Sequence, residues 1–155
     1  MSVSPMPPGY HTATPYITVR HADEAMAFYE KAFQAESRGQ LCMPDGTVMH
    51  GEFQIGDSFI MYSEENPQMG AVGPETLGGT CVTLCLYVED VDKTYAQAIA
   101  SGATSVRPVE DQFWGDRAGT VQDPFGHRWT LLTHIEDVPW DEMTRRFEKM
   151  LVETE

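Results

Sequence analysis

His50 and Glu52 stand two residues apart inside Val48–Ser63, a stretch with alternating apolar residues. On a strand that spacing puts both side chains on one face. An imidazole beside a carboxylate can hold a divalent cation, act as an acid–base pair, or simply hydrogen-bond at a surface. A two-residue turn at Gly56-Asp57 sets Glu52 opposite Met61 and His50 opposite Ser63. Gln54 and Phe59 share that face, while Phe53, Ile55, Ile60 and Tyr62 point to the core. Phe113, Trp114 and Arg117 form a second group: aromatic surface beside a guanidinium that can grip a carboxylate or phosphate. Its alternative reading is structural, with Trp114 plugging the core and Arg117 paired with Asp111 or Asp116. Cys85 reads as a buried thiol rather than a nucleophile. His134 ends a strand, exposed on its polar side, and His127 sits beside a turn, whereas His11 and His21 read as surface residues. Arg20 and Arg128 point inward by alternation. There is no CxxC zinc pattern, no Gly-x-Ser-x-Gly elbow and no phosphate-cradling glycine loop.

The elements that must carry these residues follow from periodicity. Residues 1–13 hold three prolines and read as an arm. Thr14–Arg20 alternates, with Ile17 and Val19 facing one way and Tyr16, Thr18 and Arg20 the other. A helix follows with Asp23 as a plausible N-cap and Ala22, Met26, Tyr29 and Phe33 as its buried stripe. An irregular segment leads to a Pro44-Asp45-Gly46 turn, and the hairpin comes next. The glycine- and proline-rich residues 66–79 read as a linker or mobile loop.

Thr80–Val88 alternates again, with Thr83, Cys85 and Tyr87 on one face. A second helix starts near Val91, with Val91, Tyr95 and Ile99 inward and Gly102 as its stop. A short strand at Val106–Val109 and a loop at Asp111–Arg117 lead to a hairpin over Thr120–Thr133. Asp123-Pro124-Phe125-Gly126 supplies its turn chemistry. After Pro139, a last helix capped by Asp141 places Met143, Phe147, Met150 and Leu151 on one side.

Composition bounds the partners. The 155 residues suit one well-buried core, and 41% are hydrophobic. With 24 acidic against 10 basic residues the net charge is −14, which disfavours nucleic acid and anionic membranes. The start, MSVSPMPPGY, lacks the basic and apolar runs of a signal peptide, and no stretch has the ~20 apolar residues of a bilayer span. Cys81 and Cys85 are about 13 Å apart along a strand at ~3.3 Å per residue, too far to bridge. The odd total of three cysteines fits a reduced cytosol, so a cytoplasmic location is expected.

The two halves repeat. Val19 and Val88, Asp23 and Asp92, and Ala27 and Ala96 are each 69 residues apart, and Gly56 matches Phe125 at the hairpin turns. Each half runs strand, helix, irregular stretch, hairpin. That is a duplicated module rather than a solenoid.

ITVRHADEAMAFYEKAF, IGDSFIMYSEE, VTLCLYVEDVD and above all RPVEDQFWGDRAGTVQDPFGHRWTLLTHIEDV resemble the vicinal oxygen chelate superfamily. That group includes glyoxalase I, the bleomycin-resistance proteins and the extradiol dioxygenases, and the likeness is greatest to its PhnB-like branch. It spans about residues 14–140. The fold it implies is the one the repeat suggests. It is α+β, with two βαβββ modules (14–65 and 80–138) forming a curved mixed sheet, or cup, with helices outside. The helix at 139–155 is an addition, and a homodimer is expected.

Metal-dependent members hold a divalent ion with one side chain from each of four strands, usually His, Glu or Gln. Matched strand by strand, those places fall to Thr14, Met61, Thr83 and Thr130, again in pairs 69 apart. A thioether is too soft for Mg²⁺ or Mn²⁺, and threonines bring no charge. No metal or other cofactor is therefore expected at these places; a divalent ion at His50 and Glu52 is the remaining option. By their spacing on an inward strand face, His50 and Glu52 are the candidate catalytic residues, and Tyr16, Met61, Thr83, Cys85, Phe113, Trp114, Arg117 and Thr130 are the candidates for a small-molecule ligand in the cup. Two functions stay open: a lyase- or isomerase-type enzyme, or a non-catalytic binder that sequesters a drug or metabolite.

Overall fold

The computed structural model describes residues 3–153. The first module is β1 (Tyr16–Val19), α1 (Ala22–Phe33), β2 (Glu36–Cys42), β3 (Val48–Ile55) and β4 (Ser58–Glu64). A 3-10 turn (Pro67–Met69) and the short helix α2 (Pro74–Leu77) follow. The second module is β5 (Thr83–Tyr87), α3 (Val91–Ala100), β6 (Thr104–Asp111), β7 (Asp116–Gln122) and β8 (Arg128–His134), and α4 (Trp140–Val152) ends the chain. The class is α+β, and each module is βαβββ. The strands form two four-stranded mixed sheets, ordered β1-β4-β3-β2 and β5-β8-β7-β6.

The repeat holds at the level of register. Tyr16 lies beside Met61 in the first parallel pair and Cys85 beside Thr130 in the second, both at the 69-residue offset. The hairpins depart from it by one residue. The tight Gly56-Asp57 turn places Glu52 opposite Met61, whereas the longer loop between β7 and β8 places Thr120 opposite Thr130.

Some local expectations are revised. The segment before Gly46 is the edge strand β2, whose seven residues are all exposed. With neither face buried, it carries no alternation to read. The α1 N-cap is His21, not Asp23; the Glu64 carboxylate accepts the His21 N–H at 3.1 Å from the end of β4. On α3, Asp90 caps the helix by accepting from the Lys93 N–H, and Ala98 rather than Ile99 reaches the core. Asp141 makes no cap; Pro139 occupies that place.

Tyr29 on α1 joins the two modules. Its ring stacks on Phe53 of β3 at 5.0 Å and lies 5.5 Å from Trp129 of β8. Phe33 packs on Trp129 and Phe28 on Phe125. The first sheet's apolar face is thus covered by α1 and the second's by α3, the two helices pack together, and burying such aromatics between them dominates a core of this size. The polar faces of the two sheets therefore point away from this common core. Among the described residues, no helix is long and apolar enough to cross a membrane.

Gln34 ends α1 in the left-handed region, at φ 57°. Glycine adopts that conformation without the Cβ penalty. Gln34→Gly is expected to raise unfolding free energy by about 0.5–1 kcal/mol. A urea midpoint unchanged or lower than wild type would count against this.

Candidate functional site

On the polar face of the first sheet, three side chains form a continuous hydrogen-bonded row, with a fourth beside its end. The Tyr16 hydroxyl lies 3.1 Å from His50 Nδ1, and His50 Nε2 lies 3.2 Å from Glu52 Oε1. The Tyr10 phenol stands beside Glu52 and interacts with its carboxylate. Its ring is stacked on Phe59, with centroids 4.5 Å apart. The pleat explains the arrangement: Tyr16 is on β1, His50 and Glu52 are alternate residues of β3, and Met61 on β4 lies between the two strands.

Electrostatics within the row are mutual. Hydrogen bonds from Tyr10 and then His50 hold the Glu52 carboxyl below its ordinary range. Desolvation, with the Glu52 contact, pushes the Tyr10 phenol up to about 12. Tyr10 was not legible in the sequence. It lies in the proline-rich arm, and only the stacking on Phe59 brings it to the site.

The second sheet presents a different surface. Thr120 and Thr130 face each other with hydroxyls 2.9 Å apart, where the first sheet has Glu52 and Met61. Cys85, expected to be buried, is exposed, because its edge strand β5 has nothing over its polar face. Thr83 and Tyr87 are exposed on the same strand. Arg117 is held by Asp92 at 2.7 Å and Asp111 at 2.8 Å. Trp114 is half-buried, with Phe113 edge-on to its ring, and donates to Asp116.

At the end of this sheet, the buried Asp116 accepts from Trp114 Nε1 at 2.9 Å and from the Tyr87 hydroxyl at 3.1 Å. Its other oxygen lies 2.8 Å from His134 Nδ1, while His134 Nε2 lies 2.9 Å from Asp137. The two carboxylates, Asp137 first, raise the His134 pKa. A histidine raised on folding stabilises the fold below its unfolded pKa of about 6.5 and loses that contribution as pH rises through the folded value. His134→Gln should therefore flatten the fall in urea midpoint between neutral and mildly alkaline pH. An unchanged slope would refute the linkage.

The family model of the Glyoxalase/Bleomycin resistance protein/Dioxygenase superfamily matches residues 10–131. This chain belongs to that superfamily. The Mycobacterium tuberculosis protein Rv0887c is 42% identical over 133 residues, covering 84% of this chain and 78% of the relative. Among solved structures, the PhnB protein of Bacillus cereus superposes with a TM-score of 0.63 at 20% identity, over 79% of this chain and 99% of that one. The fosfomycin resistance protein FosX of Listeria monocytogenes gives 0.63 at 17% identity, over 86% and 97%. At these identities the structural neighbours establish the shared fold.

The superfamily's metal does not suit the residues present at its four strand positions. Met61 offers a thioether, and Thr130 is engaged with Thr120. Thr14 hydrogen-bonds to the His11 carbonyl at 3.0 Å. Among the described residues, no three His, Cys, Asp or Glu side chains gather as a metal-binding group. His50 and Glu52 supply two ligands at most, and their remaining neighbours in the row are phenols. Met61 and Thr130 lie on separate sheets. What this superfamily member offers instead is an imidazole held between a phenol and a carboxylate, an arrangement that orients it for hydrogen bonding or proton transfer.

Proposed function

We propose that this superfamily member binds a small organic molecule on the Tyr10–Tyr16–His50–Glu52 face, without a metal ion. The observation that carries the reading is the unbroken hydrogen-bonded row. It fixes the orientation of His50 while leaving part of the imidazole and carboxylate open to solvent. Met61, Phe59 and Tyr16 supply apolar and aromatic wall beside it. The polar face of a second copy, carrying Thr83, Cys85 and Thr130, closes the site in a homodimer. Supporting this is the exposure of the outer strands β1 and β5, whose free edges need cover. A monomeric mass by light scattering would overturn the dimer.

The test of binding is a thermal-shift screen against glutathione adducts, cationic antibiotics and small 2-oxo acids. A true ligand at 100 times its Kd adds about 2.7 kcal/mol and raises the melting temperature. His50→Gln and Glu52→Gln should each abolish the shift; if both variants respond like wild type, the site is elsewhere. Elemental analysis after purification without chelator is the second arm, and one divalent ion per chain would overturn the metal-free reading. A lyase or isomerase function is the second reading. Glu52 at Nε2 orients the ring as a general base needs, and a substrate hydroxyl replacing Tyr16 at Nδ1 meets the nitrogen that takes its proton, which favours this reading. Turnover of any hit, lost in His50→Gln, would decide for it.

A further inference from the structure

The Asp116–His134 pair opens on a cavity of about 480 Å³, walled by Tyr87, Trp114, Val138, Pro139 and Met143. It lies on the second sheet and does not rest on the His50–Glu52 reading. Asp116 is 4% exposed, and both of its oxygens are taken, one by Trp114 and Tyr87 and the other by His134. Its burial and these three contacts shield it from a ligand cation. Its contact with Nδ1 fixes the ring so that Nε2 points outward, and with a carboxylate at each nitrogen the ring donates from both as an imidazolium.

The partner of Nε2 is of another kind. Asp137 is fully exposed, and its contact with His134 bridges only three positions of a surface turn. A carboxylate so placed gains little from the contact and is readily exchanged. A ligand carboxylate takes up the same contact with Nε2 while Asp137 turns into solvent, where its charge is hydrated. The walls around it are aromatic and aliphatic, so the rest of the ligand must be apolar.

We propose that this cavity is a second binding site, for a small carboxylic acid with an apolar body. The acid displaces Asp137 from His134 Nε2 and lays its apolar part against Trp114, Tyr87 and Met143. Asp137 acts as a built-in stand-in for the ligand's head group.

The experiment is a titration of the full chain with phenylacetate, followed by the indole N–H resonance of Trp114 in nitrogen-15 spectra. The resonance is assigned from its absence in Trp114→Phe. Benzylamine and 2-phenylethanol, of similar shape, carry a positive charge and no charge. The expected result is saturable movement of the Trp114 signal by phenylacetate and none by the other two at equal concentration. His134→Gln should weaken the response at least tenfold, and Asp137→Ala should strengthen it several-fold by removing the competitor. The proposal is overturned if phenylacetate moves nothing at 10 mM (about −2.7 kcal/mol of binding at that Kd), if benzylamine binds as well, or if His134→Gln responds like wild type. Equal affinity in Asp137→Ala would refute the displacement.

Discussion

Replacing Asp123 with alanine is expected to cost about 3–5 kcal/mol, a large part of the roughly 5–15 kcal/mol that holds an ordinary domain together. Asp123 is buried at the β7–β8 turn and accepts four hydrogen bonds. Oδ2 takes the Tyr29 hydroxyl at 2.8 Å and Trp129 Nε1 at 2.9 Å. Oδ1 takes the backbone N–H groups of Phe125 and His127, each at 2.9 Å. Burial raises its pKa against the opposing pull of Trp129, His127 and Tyr29.

Alanine leaves all four donors without a partner, two of them on the largest core aromatics. Asparagine does not restore them. Whichever way its amide turns, the NH₂ group meets donors, and neither an indole nor a backbone N–H can accept. Tyr29→Phe removes one donor and should cost only about 1 kcal/mol. Denaturant unfolding of the three variants checks the order Asp123→Ala, then Asp123→Asn, then Tyr29→Phe. If Asp123→Asn unfolds like wild type, the network does not carry the stability argued for it.

Gly115→Ala is expected to detach the C-terminal segment. Gly115 has φ 98°, which side chains rarely adopt, and a Cβ there would lie 2.1 Å from the Glu136 carbonyl oxygen and 2.9 Å from Val138. The Gly115 carbonyl accepts from both Ile135 and Glu136, so what the Cβ meets is tied-down backbone rather than the end of a flexible side chain. The backbone penalty of about 1–2 kcal/mol and the overlap penalty of about 1–3 kcal/mol fall on one residue.

What gives way is the weaker partner. α4 has no buried residue and meets the rest of the chain at Phe113, through the ring of Phe147 and through Arg146 on the Phe113 carbonyl, while the Arg146–Glu136 pair stays within the C-terminal segment. Regions held so lightly open first. Hydrogen exchange should show lost protection over residues 135–152 and little change in β3 and β8. Unchanged protection of α4 would refute this. The same variant should spoil the cavity at His134, since Asp137 and Val138 lie in the displaced segment.

The duplicated modules, the two hairpins and the buried stripe of α1 were legible in the chain itself. Alternation and helical spacing report which side of an element is dry, and a conserved offset of 69 residues repeats that report twice. The pair His50 and Glu52 was legible for the same reason, because a strand's pleat is a local property. β2 was not, since an edge strand wet on both faces leaves no periodic trace. Nor was Tyr10, whose place depends on Phe59 some fifty residues away.

The cluster of Tyr87, Trp114, Asp116, His134 and Asp137 draws on β5, the Gln112–Gly115 turn, β7, β8 and the segment beyond. Only the packing of those elements assembles it. Asp123 shows the division within one residue. Its turn-forming role follows from its neighbours Pro124, Phe125 and Gly126. Its hold on Tyr29 joins positions 94 residues apart, a contact that exists only because α1 of the first module packs against Trp129 in the core of the second.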